Sequence, residues 1–258
     1  MTSALHENLV LSIIIPTFGR AQLLHSCLDS FRTLKCAFEV IVVDDGSYLP
    51  IAIDIKDYAF QIKLVRHPKN LGRFEAIKSG SVLASGLYVM LFDSDDLWVE
   101  SGEFEMSMNS LFGDIGLVFF TSKTSYRCQC EKLAANYFKI RYQSDIKGDL
   151  KEVISTTRFR EALEHLGLIS ARRVPTTLIW LLAYSGQNVA LLPHIICRKE
   201  YLSNGMTKQS LKNRLLDPYP MYLLYLELVK CSFETKAWLL LGKFGIRLIF
   251  YRIISVKL

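Results

Sequence analysis

Residues 88–92 read Tyr-Val-Met-Leu-Phe and run directly into Asp93-Ser94-Asp95-Asp96. A short, uninterrupted apolar run closed by a polar turn is the pattern of a strand covered on both faces. Toward the N-terminus the same pattern occurs twice more. Val10–Ile15 (VLSIII) meets Pro16 and leads into Thr17-Phe18-Gly19-Arg20, and Phe38–Val43 (FEVIVV) ends in Asp44-Asp45-Gly46-Ser47. The stretches between them have helical spacing. Gln22–Leu34 is apolar at 23, 24, 27, 28, 31 and 34, and Arg73–Ala84 carries Phe74, Ile77, Val82 and Leu83, with Gly80 inside. Ile62–Val65 adds a shorter strand. Strands alternating with helices predict an α/β domain with a mainly parallel sheet flanked by helices. Ligands of such sheets lie beyond the carboxyl ends of the strands, so the three polar segments are expected to converge on one edge.

Beyond residue 98 the pattern weakens. Ile115–Phe120 (IGLVFF) reads as a strand, residues 121–156 give no clear element, and Arg158–Leu166 reads as a helix. Val174–Cys197 holds 24 residues without Asp, Glu, Lys or Arg. Pro175, Gly186, Gln187, Asn188, Pro193 and His194 interrupt it, so it reads as a buried helix and then a strand, not a membrane span. No linker composition marks residue 98. Residues 1–98 and 99–234 are therefore expected to be two halves of one compact unit, with 235–258 forming a basic C-terminal helix.

At 258 residues, with 50% hydrophobic and 22% charged residues, the chain is long enough to bury a core without disulfides or structural metals. These fractions exclude collagen-like, low-complexity and wholly disordered classes. The six cysteines are scattered; only Cys128 and Cys130 are near neighbours, and no second pair completes a zinc spacing. The first ten residues lack Lys and Arg, which argues against a secretory signal. The net charge of +6 is concentrated at the end of the chain: residues 198–258 hold 11 Lys/Arg and 4 Asp/Glu, or +7.

Carboxylates crowded at Asp93-Ser94-Asp95-Asp96 supply hard oxygens suited to Mg²⁺ or Mn²⁺. A divalent ion there would bridge and neutralise a diphosphate. Asp44 and Asp45, at a neighbouring strand end, can accept from the N–H or hydroxyl groups of a nucleotide. No G-x-G-x-x-G, P-loop, H-E-x-x-H or G-x-S-x-G occurs, which removes several cofactor and hydrolase classes. A strand followed by D-x-D also marks phosphatases of the haloacid dehalogenase type, but there the motif belongs to the first strand. Nucleic-acid binding has no matching motif.

These segments resemble family 2 glycosyltransferases. Ser12-Ile-Ile-Ile-Pro-Thr-Phe-Gly-Arg20 is similar to the family's opening strand and loop, with Gly19 in place of the common Asn. Val40-Ile-Val-Val-Asp-Asp-Gly-Ser47 matches the second strand and its end. Asn70-Leu-Gly72, Ala76 and Gly86-Leu-Tyr88 follow the family spacing, and Leu91-Phe-Asp-Ser-Asp-Asp96 matches the D-x-D segment. The resemblance implies a GT-A fold and a metal-dependent, hexosyltransferase-like enzyme. It would move a sugar from a nucleotide-diphosphate sugar to an acceptor hydroxyl with inversion, in polysaccharide or O-antigen assembly. Pro16, Thr17, Phe18, Arg20, Asp45, Arg73, Asp93 and Ser94 would bind the donor, and Asp93 and Asp95 would hold Mn²⁺ or Mg²⁺. Asp217 would be the catalytic base. The family shows an acidic pair there, whereas Leu216 precedes Asp217 here. That departure leaves a second reading, an inactive nucleotide-sugar-binding or scaffold module on the same fold.

The tail, residues 235–258, carries Lys236, Lys243, Arg247, Arg252 and Lys257 and no acid, with aromatic and aliphatic residues between them. On a helical wheel its amphipathic face is imperfect, and Gly242 and Gly245 weaken the helix. Two expectations stand: a last helix packed on the core with its cations in water, or a helix lying on an anionic membrane. The second would place the enzyme at the cytoplasmic face of the inner membrane, near a lipid-linked or saccharide acceptor.

Overall fold

The computed structural model describes residues 10–109, 116–125, 134–167, 174–199, 215 and 217–256. Its strands are β1 (Leu11–Thr17), β2 (Phe38–Asp44), β3 (Gln61–Arg66), β4 (Tyr88–Leu91), β5 (Asp96–Trp98), β6 (Gly116–Thr121), β7 (Ala134–Ala135), β8 (Leu150–Ser155) and β9 (Val189–Lys199). Its helices are α1 (Ala21–Ser30), α2 (Arg73–Leu83), α3 (Gly102–Asn109), α4 (Thr156–Gly167), α5 (Thr176–Ala183), α6 (Tyr219–Glu234) and α7 (Trp238–Val256).

The strands form one sheet in the order β3-β2-β1-β4-β8-β6-β9-β5, with β7 paired to β9. The first four are mutually parallel, as the alternating pattern predicts. Beyond β4 the sheet is mixed: β8 runs antiparallel to both β4 and β6, whereas β6 and β9 are parallel. Strand β1 is buried throughout. Its pairing with β4 stops at Ile14, so Pro16, which has no N–H to donate, lies beyond the paired stretch on that side.

The long charge-free segment resolves as expected into a buried helix, α5, followed by β9. The unreadable stretch 121–156 holds β8, which sits between β4 and β6. The sheet is therefore continuous across residue 98. Two apolar clusters cover its faces. One contains Ile13, Leu24, Phe31, Phe92 and Phe104, and the other contains Ile14, Phe74, Phe159, Trp180 and Leu224.

Gly80 is explained by close packing. A Cβ there would lie 2.5 Å from Ile14 Cγ2, so only glycine lets α2 settle onto β1. The Cys128–Cys130 pair lies outside the described residues.

Candidate active site

The ends of β1, β2 and β4 meet as predicted. Asp45 N donates to Thr17 O (2.9 Å) and Gly19 N to Ser47 Oγ (2.8 Å), while Arg20 reaches across to Asp95 Oδ2 (2.7 Å). At the β2 turn Gly46 has φ +73°, and a Cβ would stand 2.3 Å from the Lys69 carbonyl carbon. Glycine therefore supplies both the left-handed conformation and the clearance. Asp44 Oδ1 accepts from Ser47 N at 2.9 Å, closing that turn.

Asp45 serves a neighbouring loop. Its Oδ1 is 2.8 Å from His67 Nδ1 and accepts from Leu71 N (2.9 Å), and its Oδ2 accepts from Gly72 N (2.8 Å). This buried carboxylate fixes the turn that leads into α2 and so sets the position of Arg73, the first residue of that helix. In contrast, Thr17 Oγ1 is buried without a hydrogen-bond partner, while Asp44 Oδ2 makes no hydrogen bond but pairs with Arg66 Nε at 3.4 Å. The two residues stand in register across β1 and β2, and the Thr17 hydroxyl is a polar group at the sheet edge that a ligand could satisfy.

The acidic cluster is embedded in cations. Arg73 binds Asp93 Oδ1 at 2.5 Å, and Lys199 Nζ lies 2.9 Å from Asp93 Oδ2 and 3.1 Å from Asp96 Oδ2. Lys151 Nζ is 2.9 Å from Asp96 Oδ2. Burial alone would raise the Asp93 pKa, but Arg73, Lys151 and Lys199 outweigh it and hold the carboxyl well below its ordinary range. Asp95 behaves in the opposite way. Burial and the charges of Asp93 and Asp96 push its pKa up despite the pull of Arg20. Lys199 also lies above its ordinary range: burial lowers it, but Asp93 and Asp96 more than compensate.

One ligand oxygen each from Asp93, Asp95 and Asp96 lie within 4.8 Å of one another, so this donor set fits a hard divalent cation. Asp95 pairs with Arg20, whereas Asp93 and Asp96 each pair with two cations. Asp93, the other expected ligand, already has a cation on each oxygen.

Next to Asp93 opens a cavity of about 190 Å³, walled by Leu150, Lys151 and Glu152 of β8, Thr176 and Thr177 at the start of α5, and Tyr137, Arg141, Asp149, Trp180 and Lys199. The remaining expected residues fall in different places. Pro16 and Ser94 are buried at the strand ends, and Phe18 is half exposed. Asp217 lies in the bend before α6 and is not among the described residues lining this cavity.

Lys151, Lys199, Asp149 and Arg141 were not foreseen. Strand alternation could have found Lys199, which shares a face with Cys197. Lys151 gave no signal, because the Lys-Glu pair in LKEVIS masks the strand.

The mixed α/β sheet and its acidic strand end define a domain of the GT-A type. Residues 12–111 match Glycosyl transferase family 2, so that segment of the chain is similar to this family. It is 30% identical over 103 residues to a dolichyl-phosphate beta-glucosyltransferase of Dictyostelium discoideum, covering 34% of this chain and 32% of that protein. It is 31% identical over 118 residues to a PGL/p-HBAD biosynthesis glycosyltransferase of Mycobacterium tuberculosis, covering 40% and 46%. These matches thus span less than half the length of either relative.

Among solved structures, S. aureus TarS 1–349 in complex with UDP-GlcNAc superimposes with a TM-score of 0.66 at 17% identity, covering 92% of this chain and 72% of that one. The mannosyltransferase PcManGT of Pyrobaculum calidifontis, in complex with GDP-Man and Mn²⁺, gives 0.55 at 16% identity, covering 98% and 76%. At these identities the likeness concerns the fold.

Proposed function

We propose that the protein transfers a hexosyl group from a nucleotide-diphosphate sugar to an acceptor hydroxyl with inversion. The observation that carries this reading is the Asp93–Asp95–Asp96 cluster at the end of β4, inside the family 2 segment and beside a polar cavity. The nucleotide lies over the ends of β1 and β2, where Thr17 Oγ1 is buried without a hydrogen-bond partner. Pro16 and Phe18 shape that edge, Asp45 holds the turn behind Arg73, and Arg20 and Ser94 complete the donor side. The acceptor oxygen attacks the anomeric carbon opposite the diphosphate, forming the new C–O bond as the bond to the diphosphate oxygen breaks. Asp217 takes the hydroxyl proton. Mn²⁺ or Mg²⁺ held by Asp95, with Asp93 and Asp96 beside it, would supply charge neutralisation of the departing diphosphate. Arg73 and Lys199 hold positive charge on the same side of the site.

The relative named for dolichyl phosphate supports a lipid-linked acceptor, and a saccharide is the alternative. We place the reaction in polysaccharide or O-antigen assembly at the cytoplasmic face of the inner membrane. The inactive-module reading is favoured by one feature, the leucine at position 216 where the family has an acid. A single experiment separates the two. Purified protein is incubated with a panel of nucleotide sugars and Mn²⁺, and released nucleoside diphosphate is measured. An enzyme releases it slowly by donor hydrolysis, whereas a module that only binds gives thermal stabilisation without release.

A further inference from the structure

Helix α7 has two apolar faces. The inner face buries Phe244 and Tyr251 against α6, with Leu240, Leu248 and Ile254 packed alongside. Phe244 also meets Phe138 and Tyr142 edge-on. The outer face is open to solvent and equally apolar. Trp238 is 60% exposed, Leu239 93%, Ile246 73% and Ile249 62%, and Phe250 and Ile253 are about half exposed. At about 100° per residue these six side chains fall within a stripe of about 120°, opposite Phe244 and Tyr251. Lys243 and Arg247 border one edge of the stripe and Arg252 the other. Arg247 and Arg252 rest on the rings of Tyr225 and Tyr222 of α6. At the corner between the helices, exposed Phe233 packs edge-on to Trp238, beside exposed Lys236. Gly242 and Gly245 do not break the helix, which runs unbroken from Trp238 to Val256.

We infer that this outer face of α7 is a docking surface for an anionic lipid bilayer, with the helix lying in the plane of the headgroups. An apolar stripe this exposed calls for a partner. Its length, about 28 Å from 19 residues at about 1.5 Å each, is displayed along the surface. Among the described residues no helix is long and apolar enough to cross a membrane. Charge selects the occupant. Cations flank both edges, and residues 235–256 contain no Asp or Glu. A second copy on the same face would set these cations against their counterparts. An anionic bilayer would accept the stripe into its acyl boundary and pair the flanking Lys and Arg with headgroups. The inner face then leans on Phe138 and Tyr142, next to Tyr137 and Arg141 of the cavity wall. The inference deepens the proposed membrane-face location and depends on no step of the transfer reaction.

The full chain is tested by co-sedimentation with phosphatidylcholine vesicles with and without phosphatidylglycerol. Of the three tryptophans, Trp98 and Trp180 are buried, so a fluorescence change reports Trp238. The expected result is binding to anionic vesicles only, weakened by salt, with a blue shift that Trp238→Phe abolishes. Ile246→Ser/Ile249→Ser/Ile253→Ser should weaken binding at least tenfold, and so should Lys236→Glu/Lys243→Glu, at two exposed cations. Both variants should keep the wild-type melting curve and donor-nucleotide binding, which separates loss of docking from loss of fold or of the donor site. Equal sedimentation of wild type and variants, indifference to lipid charge, or a concentration-dependent dimer that buries Trp238 without vesicles would overturn the inference.

Discussion

Lys151 Nζ lies 2.9 Å from Asp96 Oδ2, and both side chains are buried. The pair ties β8 to the first residue of β5, just past the acidic end of β4. The same ammonium lies 4.2 Å from the centre of the Phe92 ring. Removing one partner of a buried pair typically costs about 3–5 kcal/mol, but Asp96 keeps Lys199 at 3.1 Å. Lys151→Met should therefore lower the stability by less than that amount in denaturant titrations. Adding Asp96→Asn to Lys151→Met should recover part of the loss, because one buried carboxylate is then gone.

Asp95→Asn keeps the shape of the side chain but removes a charged ligand. Mn²⁺-dependent nucleotide binding and sugar transfer should both be lost, while the melting temperature changes little. Calorimetric titration of the nucleoside diphosphate with and without Mn²⁺ measures the first effect. Transfer at the wild-type rate without added metal would refute the assignment.

Asp217→Asn should lower kcat by roughly 10²–10⁴-fold, the usual scale for loss of a general base. Donor affinity should stay near wild type, because the donor groups lie at the ends of β1, β2 and β4. A variant that retains its rate would move the base to another carboxylate.

Gly80→Ala sets two effects against each other. Alanine gains about 1 kcal/mol in helix propensity, but its Cβ would press on Ile14 Cγ2 at 2.5 Å. Overpacking of this kind costs about 1–3 kcal/mol. Because β1 is buried on both faces and cannot yield, the net result should be destabilisation by up to about 2 kcal/mol, read from the shift in the denaturation midpoint.

Asp93 gives the acid limb of the stability curve its sign. Its pKa is depressed in the folded state, since Arg73, Lys151 and Lys199 overcome the effect of burial. It therefore stabilises the fold above its unfolded pKa of about 4. That contribution is lost as pH falls through the lower folded value. Asp93→Asn should flatten the loss of stability below about pH 4, measured by urea denaturation across a pH series. An acid limb as steep as wild type would count against these ion pairs.

The N-terminal half of the fold was legible because its signals are local. VLSIII, FEVIVV and YVMLF need no context to read as buried strands, and the polar turns after them mark the sheet edge on which the site is built. The helix-then-strand reading of Val174–Cys197 held for the same reason: its Pro and Gly punctuation is local. β8 was not legible, because its Lys151-Glu152 pair, buried only through tertiary partners, interrupts the apolar pattern. Gly80 read as a flaw in a helix until Ile14 stood against it.

The sequence alone thus determined the parallel β-α-β core, the positions of its polar strand ends and the family segment, all of which follow from backbone period and turn chemistry within a few residues. Only the tertiary structure decided that Lys151 and Lys199 neutralise Asp93 and Asp96, that Asp45 serves the turn before Arg73, and that the apolar outer stripe of α7 faces solvent. Those outcomes depend on which side chains distant in sequence meet across the sheet, and on which face of a helix its neighbour covers. Neither is encoded in local periodicity.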